Sequence, residues 1–180
     1  MNDQAVETLY DGQWLRMRRR GHWEYVERVH GEGMAVIVIA VTPEDRVLFV
    51  EQHRVPLGRR TIEMPAGLVG DERNSDTLAD AARRELIEET GWEAGHVDVL
   101  LTGPTSAGMS SERIAFVRAT NLRKVGAGGG VDGEDIIVHE VPRADAPAWL
   151  MQKGREGYEL DLKLWAGLWM IQYNPDGSPA

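Results

Sequence analysis

Glu85, Glu88 and Glu89 are spaced i, i+3 and i+4, so on an α-helix their three carboxylates share one face. Like charges at that spacing repel by about a few tenths of a kcal/mol per pair. A hard divalent cation removes the repulsion: Mg2+, or Mn2+ in its place, prefers oxygen ligands and takes a few carboxylates together with substrate phosphates. The ordinary alternative is a solvated acidic helix surface.

The rest of the chain agrees with a compact catalyst. Its 180 residues are enough for one domain with a sizeable core, and 42% hydrophobic content suits globular packing. A net charge of -9 argues against general adhesion to nucleic acid or to an anionic membrane, and an acidic protein that binds phosphates needs a metal. Cysteine is absent, which excludes disulfides, thiolate catalysis and cysteine-based zinc sites. The polar start MNDQAVETLY and the lack of any apolar run of membrane-spanning length lead to the expectation of a cytoplasmic protein. The histidines His22, His30, His53, His96 and His139 have no metal-ligand spacing and read as scattered structural residues.

The carboxylates need elements to hold them. Gln13–Met17 and Trp23–Val29 flank an Arg-Gly turn and predict an N-terminal β hairpin. Ala35–Val41 and Arg46–Glu51 read as buried central strands, followed by a loop at 58–60 and a short extended stretch at Glu63–Pro65. The acidic helix is expected to start near Ser75 or Asp76 and to stop at Gly91, with Leu78, Ala82 and Leu86 facing the core. Strands are expected at Val97–Thr102, Ile114–Ala119 and Ile136–Val141. Between them lie the small-residue loop GPTSAGMSSE, placed to touch substrate, and the glycine-rich, acidic stretch Val125–Glu134, which reads as too flexible for a core element. Helices are expected at Ala144–Gln152 and Asp161–Tyr173, the second carrying an apolar stripe of Leu162, Trp165, Leu168 and Trp169, and the tail NPDGSPA reads as disordered. Alternation along a strand sends Arg16, Arg18 and Arg20 to one face and Arg19 to the other, which suits a solvated or phosphate-facing edge better than a nucleic-acid groove.

Arg84, Glu85, Leu86, Glu88, Glu89, Gly91 and Trp92 resemble the signature of the Nudix hydrolases: glycine, five residues, Glu, seven residues, then R-E-U-x-E-E-x-G-U with U apolar. One departure stands out. Counted from Gly67 the loop is three residues longer than the pattern, counted from Gly70 the spacing is restored, and in both cases Asp76 fills the place of the first glutamate. The resemblance implies an α/β fold, a Nudix α/β/α sandwich with a mixed sheet plus the N-terminal hairpin. It implies that Glu85, Glu88 and Glu89 hold Mg2+ with the Ala66 carbonyl, and that Arg84 orients Glu88 across an i,i+4 pair.

The flanks resemble the ADP-ribose or ADP-sugar pyrophosphatase branch of that superfamily. GQWL and WEYVER are similar to segments that hold adenine between aromatic rings of two subunits, which implies Trp14 and Trp23 stacked on the base, Glu24 at its edge and Arg28 in support. Gln52-His53-Arg54 is similar to the branch's Q-x-R and implies Arg54 on a phosphate or the terminal ribose. GGGVDGEDIIVHEV is similar to a late acidic loop that closes on substrate, which implies Glu134, with Asp132 as the alternative, as general base; Glu112 falls at another substrate-facing position. Residues 1–32 are accordingly expected to serve base binding and dimerisation, 33–174 to form the Nudix domain and 175–180 to be a disordered tail. The expected reaction is hydrolysis of ADP-ribose to AMP and ribose 5-phosphate by a homodimer. The alternatives are a pyrophosphatase for GDP-mannose or another nucleotide sugar, and, in a different class, a sensor that binds such a nucleotide without turnover. Neither nucleic acid nor membrane is an expected partner.

Overall fold

The computed structural model describes residues 4–30, 33–70, 76–131 and 133–180. The apolar run at 35–41 explains the architecture. Strand β4 (Met34–Ala40) sends Val36, Val38 and Ala40 into one core and Ile37 and Ile39 into another, so it is buried on both faces, as a strand between two layers must be. Strand β5 (Arg46–Arg54) divides in the same way, with Leu48 on one side and Val47 and Phe49 on the other.

Two four-stranded sheets result. In one, the order is β7 (Ala66–Leu68), β4, β9 (Arg113–Lys124), β8 (Trp92–Pro104), with β4 parallel to β9 and antiparallel to β7. In the other, the order is β10 (Ile137–Pro142), β5, β6 (Arg59–Glu63), β11 (Glu159–Leu160). Helix α1 (Leu78–Thr90) covers one side through Ala81, Ala82 and Leu86, with Leu78 packed beside them. Helices α2 (Ala146–Arg155) and α3 (Lys163–Gln172) cover the other through Ala146, Leu150, Leu164 and Leu168. This is the mixed α/β/α arrangement that the motif implies. Among the described residues no helix is long and apolar enough to cross a membrane.

Several expectations are corrected. The expected N-terminal hairpin is present as β2 (Leu15–Arg20) and β3 (Trp23–Arg28), but β1 (Val6–Asp11) adds a third antiparallel strand, so β2 is central and the arginine run is not an edge. Its arginines are matched from both sides: Arg16 pairs with Asp11, Arg18 with Glu27 and Arg19 with Glu7. The sheet is joined to the rest where Val26 exchanges main-chain hydrogen bonds with the 105–112 loop, its N–H donating to the Met109 carbonyl and its carbonyl accepting from Ser111.

Helix α1 is capped by Thr77, not Asp76, and Ser75 lies outside the described residues. The Thr77 hydroxyl accepts from the Asp80 N–H while the Asp80 carboxylate accepts from Thr77, a reciprocal box that needs an acid three residues on, which Asp76 lacks. Residues 59 and 60 belong to β6 and not to a loop. Of the expected stripe on α3 Leu168 is buried, beside Leu164, Met170 and Ile171, whereas Leu162 is 80% exposed and Trp165 and Trp169 are partly exposed. The tail folds back: Asn174 N–H donates to the Ser178 carbonyl, and Tyr173 bridges Pro179, where composition predicts disorder.

Candidate active site

The acidic face of α1 lies against β7. Gly67 makes the approach feasible, since any Cβ there would collide with the Glu85 carboxylate. Glu89 is buried and accepts the Ala66 N–H at 3.0 Å, which ties the helix to β7 directly. Arg84 organises the flank: its Nη1 lies 2.8 Å from Glu85 Oε1 and 3.4 Å from Glu88 Oε2, and its Nη2 donates to the Leu68 carbonyl at 3.1 Å. The expected pair with Glu88 is present, and the closer one is with Glu85. Asp76, standing where the motif has a glutamate, keeps an acid 3.7 Å from Arg84 Nε.

The Glu85 carboxyl is pushed up to about 7, burial being the main cause, with Arg84 pulling it down and the negative charges of Glu88 and Glu134 adding to the rise. Burial also raises Glu89 well above the usual carboxylate range, the Ala66 N–H opposing and Glu85 and Glu134 adding to the rise. Among the described residues no three acidic or histidine side chains already stand converged as a coordination sphere; Glu85 and Glu89 hold protein N–H donors instead. The residues nevertheless fit a hard divalent cation. The donors are all oxygen, and two of the carboxyls are driven toward protonation by burial and mutual repulsion, the condition a bound cation reverses.

Glu85 and Glu89 line a cavity of about 360 Å³ together with Ala66, Gly67 and Glu134. Arg28, Arg54, Glu112 and Lys163, contributed by β3, β5, the 105–112 loop and α3, line the same cavity. Arg28 Nε donates to Glu112 Oε1 at 2.5 Å, joining the N-terminal sheet to the loop. Arg54 is held by Glu63, with Nε to Oε1 at 2.7 Å and Nη2 to Oε2 at 2.6 Å. That pairing raises Arg54; burial pushes Glu63 up, but the Arg54 hydrogen bonds and charge prevail and hold it below its usual range.

Glu134 reaches the cavity after a glycine run that is tied to α1. Gly129 N–H donates to the Glu89 carbonyl at 2.9 Å and Gly130 N–H to the Glu88 carbonyl at 3.0 Å, so the glycine run is strapped to the last turn of α1. A Cβ on Gly128 would strike the Thr90 and Glu89 backbone, and its φ of 72° favours glycine further. The composition read as flexibility is thus used for close backbone approach. The Glu134 carboxylate accepts the Val131 N–H at 3.1 Å, and Asp132 lies outside the described residues.

Ala66, Glu85, Glu89, Glu134, Arg28, Arg54 and Glu112 therefore meet in one cavity. Glu88 and Arg84 stand beside it and are not among its lining. Trp14, Trp23 and Glu24 are also not among the lining residues. Trp14 is largely exposed, with its ring edge against His30; Trp23 donates Nε1–H to the Gly108 carbonyl at 3.3 Å; Glu24 faces Arg19. Sequence reasoning missed Lys163, whose Nζ pairs with Asp161 at the start of α3. A lysine in the first turn of a helix runs against the helix dipole, and that was the available signal.

The NUDIX domain family matches residues 31–117. A methanol dehydrogenase activator from Bacillus methanolicus is 38% identical over 103 residues, 57% of this chain, and the chain spans only 54% of that relative's length. A GDP-mannose pyrophosphatase from Escherichia coli (strain K12) is 34% identical over 147 residues, covering 77% of this chain and 71% of its own. An ADP-ribose pyrophosphatase from Mycobacterium tuberculosis is 34% identical over 127 residues, covering 68% of this chain and 60% of its own. Among solved structures, an ADP compounds hydrolase superposes with a TM-score of 0.62 at 18% identity, over 84% of this chain and 94% of that one, a likeness of fold.

Proposed function

The chain belongs to the Nudix family, and on that premise we propose that it hydrolyses the diphosphate bond of a nucleoside diphosphate sugar, ADP-ribose foremost, to AMP and ribose 5-phosphate. The observation that carries this reading is the gathering in one cavity of the carboxylates Glu85, Glu89 and Glu134 with the cationic Arg28, Arg54 and Lys163. A diphosphate between two sugars needs cations for its oxygens and an acidic end where water is activated.

Glu85, Glu88 and Glu89, with the Ala66 carbonyl, would hold Mg2+. When bound, the ion supplies positive charge for the diphosphate oxygens and acidifies water at its surface. Glu134 takes the proton of the attacking water as the new P–O bond forms and the bridging P–O bond breaks, the displaced phosphate leaving with that oxygen. Arg84 keeps Glu85 and Glu88 from repelling each other, while Arg54, Arg28 and Lys163 fix the phosphates and ribose, with Glu112 accepting from sugar hydroxyls. Trp14 and Trp23 would stack on the base with Glu24 at its edge, across the interface of a homodimer. The exposure of both rings and of Tyr10 in a single copy supports that assembly.

The test is Mg2+-dependent turnover of ADP-ribose, ADP-glucose, GDP-mannose, dinucleoside polyphosphates and dNTPs. ADP-ribose should be the best substrate, and no turnover of any would leave a nucleotide-binding sensor. A GDP-mannose pyrophosphatase is the second reading, favoured by the longer match to the Escherichia coli relative.

A further inference from the structure

Glu134 is exposed and followed by Asp135, whose carboxylate is 76% exposed, so neither has burial to hold it still. The segment is nevertheless tied at both ends. Upstream, the N–H groups of Gly129 and Gly130 bond the last carbonyls of α1. Downstream, Arg60 Nη1 donates to Asp135 Oδ2 at 2.7 Å and Nη2 to the Asp135 carbonyl at 3.3 Å. Arg60 is itself fixed, since its Nε donates to Glu51 Oε1 at 2.5 Å. Glu51 is a buried residue of β5 whose other oxygen pairs with His139 Nε2 at 2.9 Å.

We propose that Arg60 is a positioning residue for Glu134, carrying the rigidity of the β5–β6 sheet through Asp135 to the neighbouring carboxylate. The inference rests on the reading of Glu134 as general base. The guanidinium suits this task because its planar fork grips Glu51 and Asp135 at once, fixing direction as well as distance. Lysine, a single point of charge, fixes neither. A pair as exposed as Arg60 with Asp135 contributes little to folding, so stability alone gives little reason for it. A misplacement of about 1 Å in a catalytic group, by contrast, costs up to about 100-fold in rate.

The experiment uses the full chain and four variants: Asp135→Ala, Arg60→Lys, Glu134→Gln and Asp135→Ala/Glu134→Gln. Asp135→Ala and Arg60→Lys should lower kcat by about 10- to 100-fold with KM nearly unchanged. Adding Asp135→Ala to Glu134→Gln should cost nothing further. Amide hydrogen exchange over residues 129–136 should rise in Asp135→Ala while that of α1 stays put. A slow Glu134→Gln beside a fast Asp135→Ala, losses that multiply in the double variant, or unchanged exchange each overturn the positioning role and leave the base assignment standing. A wild-type rate in Glu134→Gln overturns both.

Discussion

Arg54, which lies opposite Arg59 in the register of β5 and β6, reaches along the strands to Glu63, opposite Val50, in a paired ion bridge, two N–H groups of one guanidinium on the two oxygens of one buried carboxylate. Two of the donors expected on the substrate are therefore already committed within the protein. What Arg54 offers the cavity is its positive charge and its remaining N–H groups, held at a fixed angle by Glu63.

Arg54→Ala should raise KM and also destabilise the fold, because Glu63 is left buried without its cation, with only the Thr61 hydroxyl donating to it. Breaking a fully buried pair costs about 3–5 kcal/mol, and the partial exposure of Arg54 reduces this to about 2 kcal/mol. Adding Glu63→Gln should restore the melting temperature and not KM. Thermal melts beside steady-state kinetics separate the two effects, and recovery of KM in the double variant would contradict a substrate role for Arg54.

Glu89→Gln should move stability and activity in opposite directions. Its amide oxygen can still accept the Ala66 N–H, the buried charge is gone, and the metal-free protein should melt no lower than the parent. Turnover should fall by at least about 100-fold as stabilisation of transition-state charge is lost. Calorimetric titration with Mg2+ should find weaker binding. Parental affinity for Mg2+ would remove Glu89 from the metal site.

Metal-free protein should lose stability as pH rises. Glu85 ionises near 4.5 in the unfolded chain and near 7 in the folded one, so between those values the folded state holds a proton that the unfolded state has released. Stability then declines through this window and levels off above it, by at most about 3 kcal/mol from Glu85. Glu89, shifted the same way, adds to the decline. Melts in EDTA from pH 5 to 8 should fall, and Mg2+ should stabilise more at pH 8 than at pH 5. A stabilisation by Mg2+ that does not grow with pH would contradict the assignment.

Trp23→Ala should raise KM for adenine substrates by about 5-fold or more, since stacking on a base is worth about 1–3 kcal/mol. Its kcat should change little. If sedimentation instead finds a dissociated dimer with KM unchanged, the ring is structural.

Local chemistry written in contiguous residues was legible from the chain alone. The i, i+3, i+4 glutamates, the Gly91 stop and the two-faced burial of β4 all follow from the periods of helix and strand, which need no knowledge of distant residues. The Thr77 cap was legible too, had Asp80 been weighed with it.

Tertiary structure decided what meets what. Lys163 joins the cavity from α3, Arg28 reaches Glu112 across 84 positions, and the glycine run becomes a strap because α1 ends with carbonyls for it to bond. Composition reads glycine as freedom, yet the same lack of a side chain lets two backbones touch, and the choice between those outcomes belongs to the neighbour and not to the glycine. Likewise the raised carboxyls of Glu85 and Glu89 come from burial, which depends on the whole packed layer, so the sequence could name the acids while only the fold sets their ionisation.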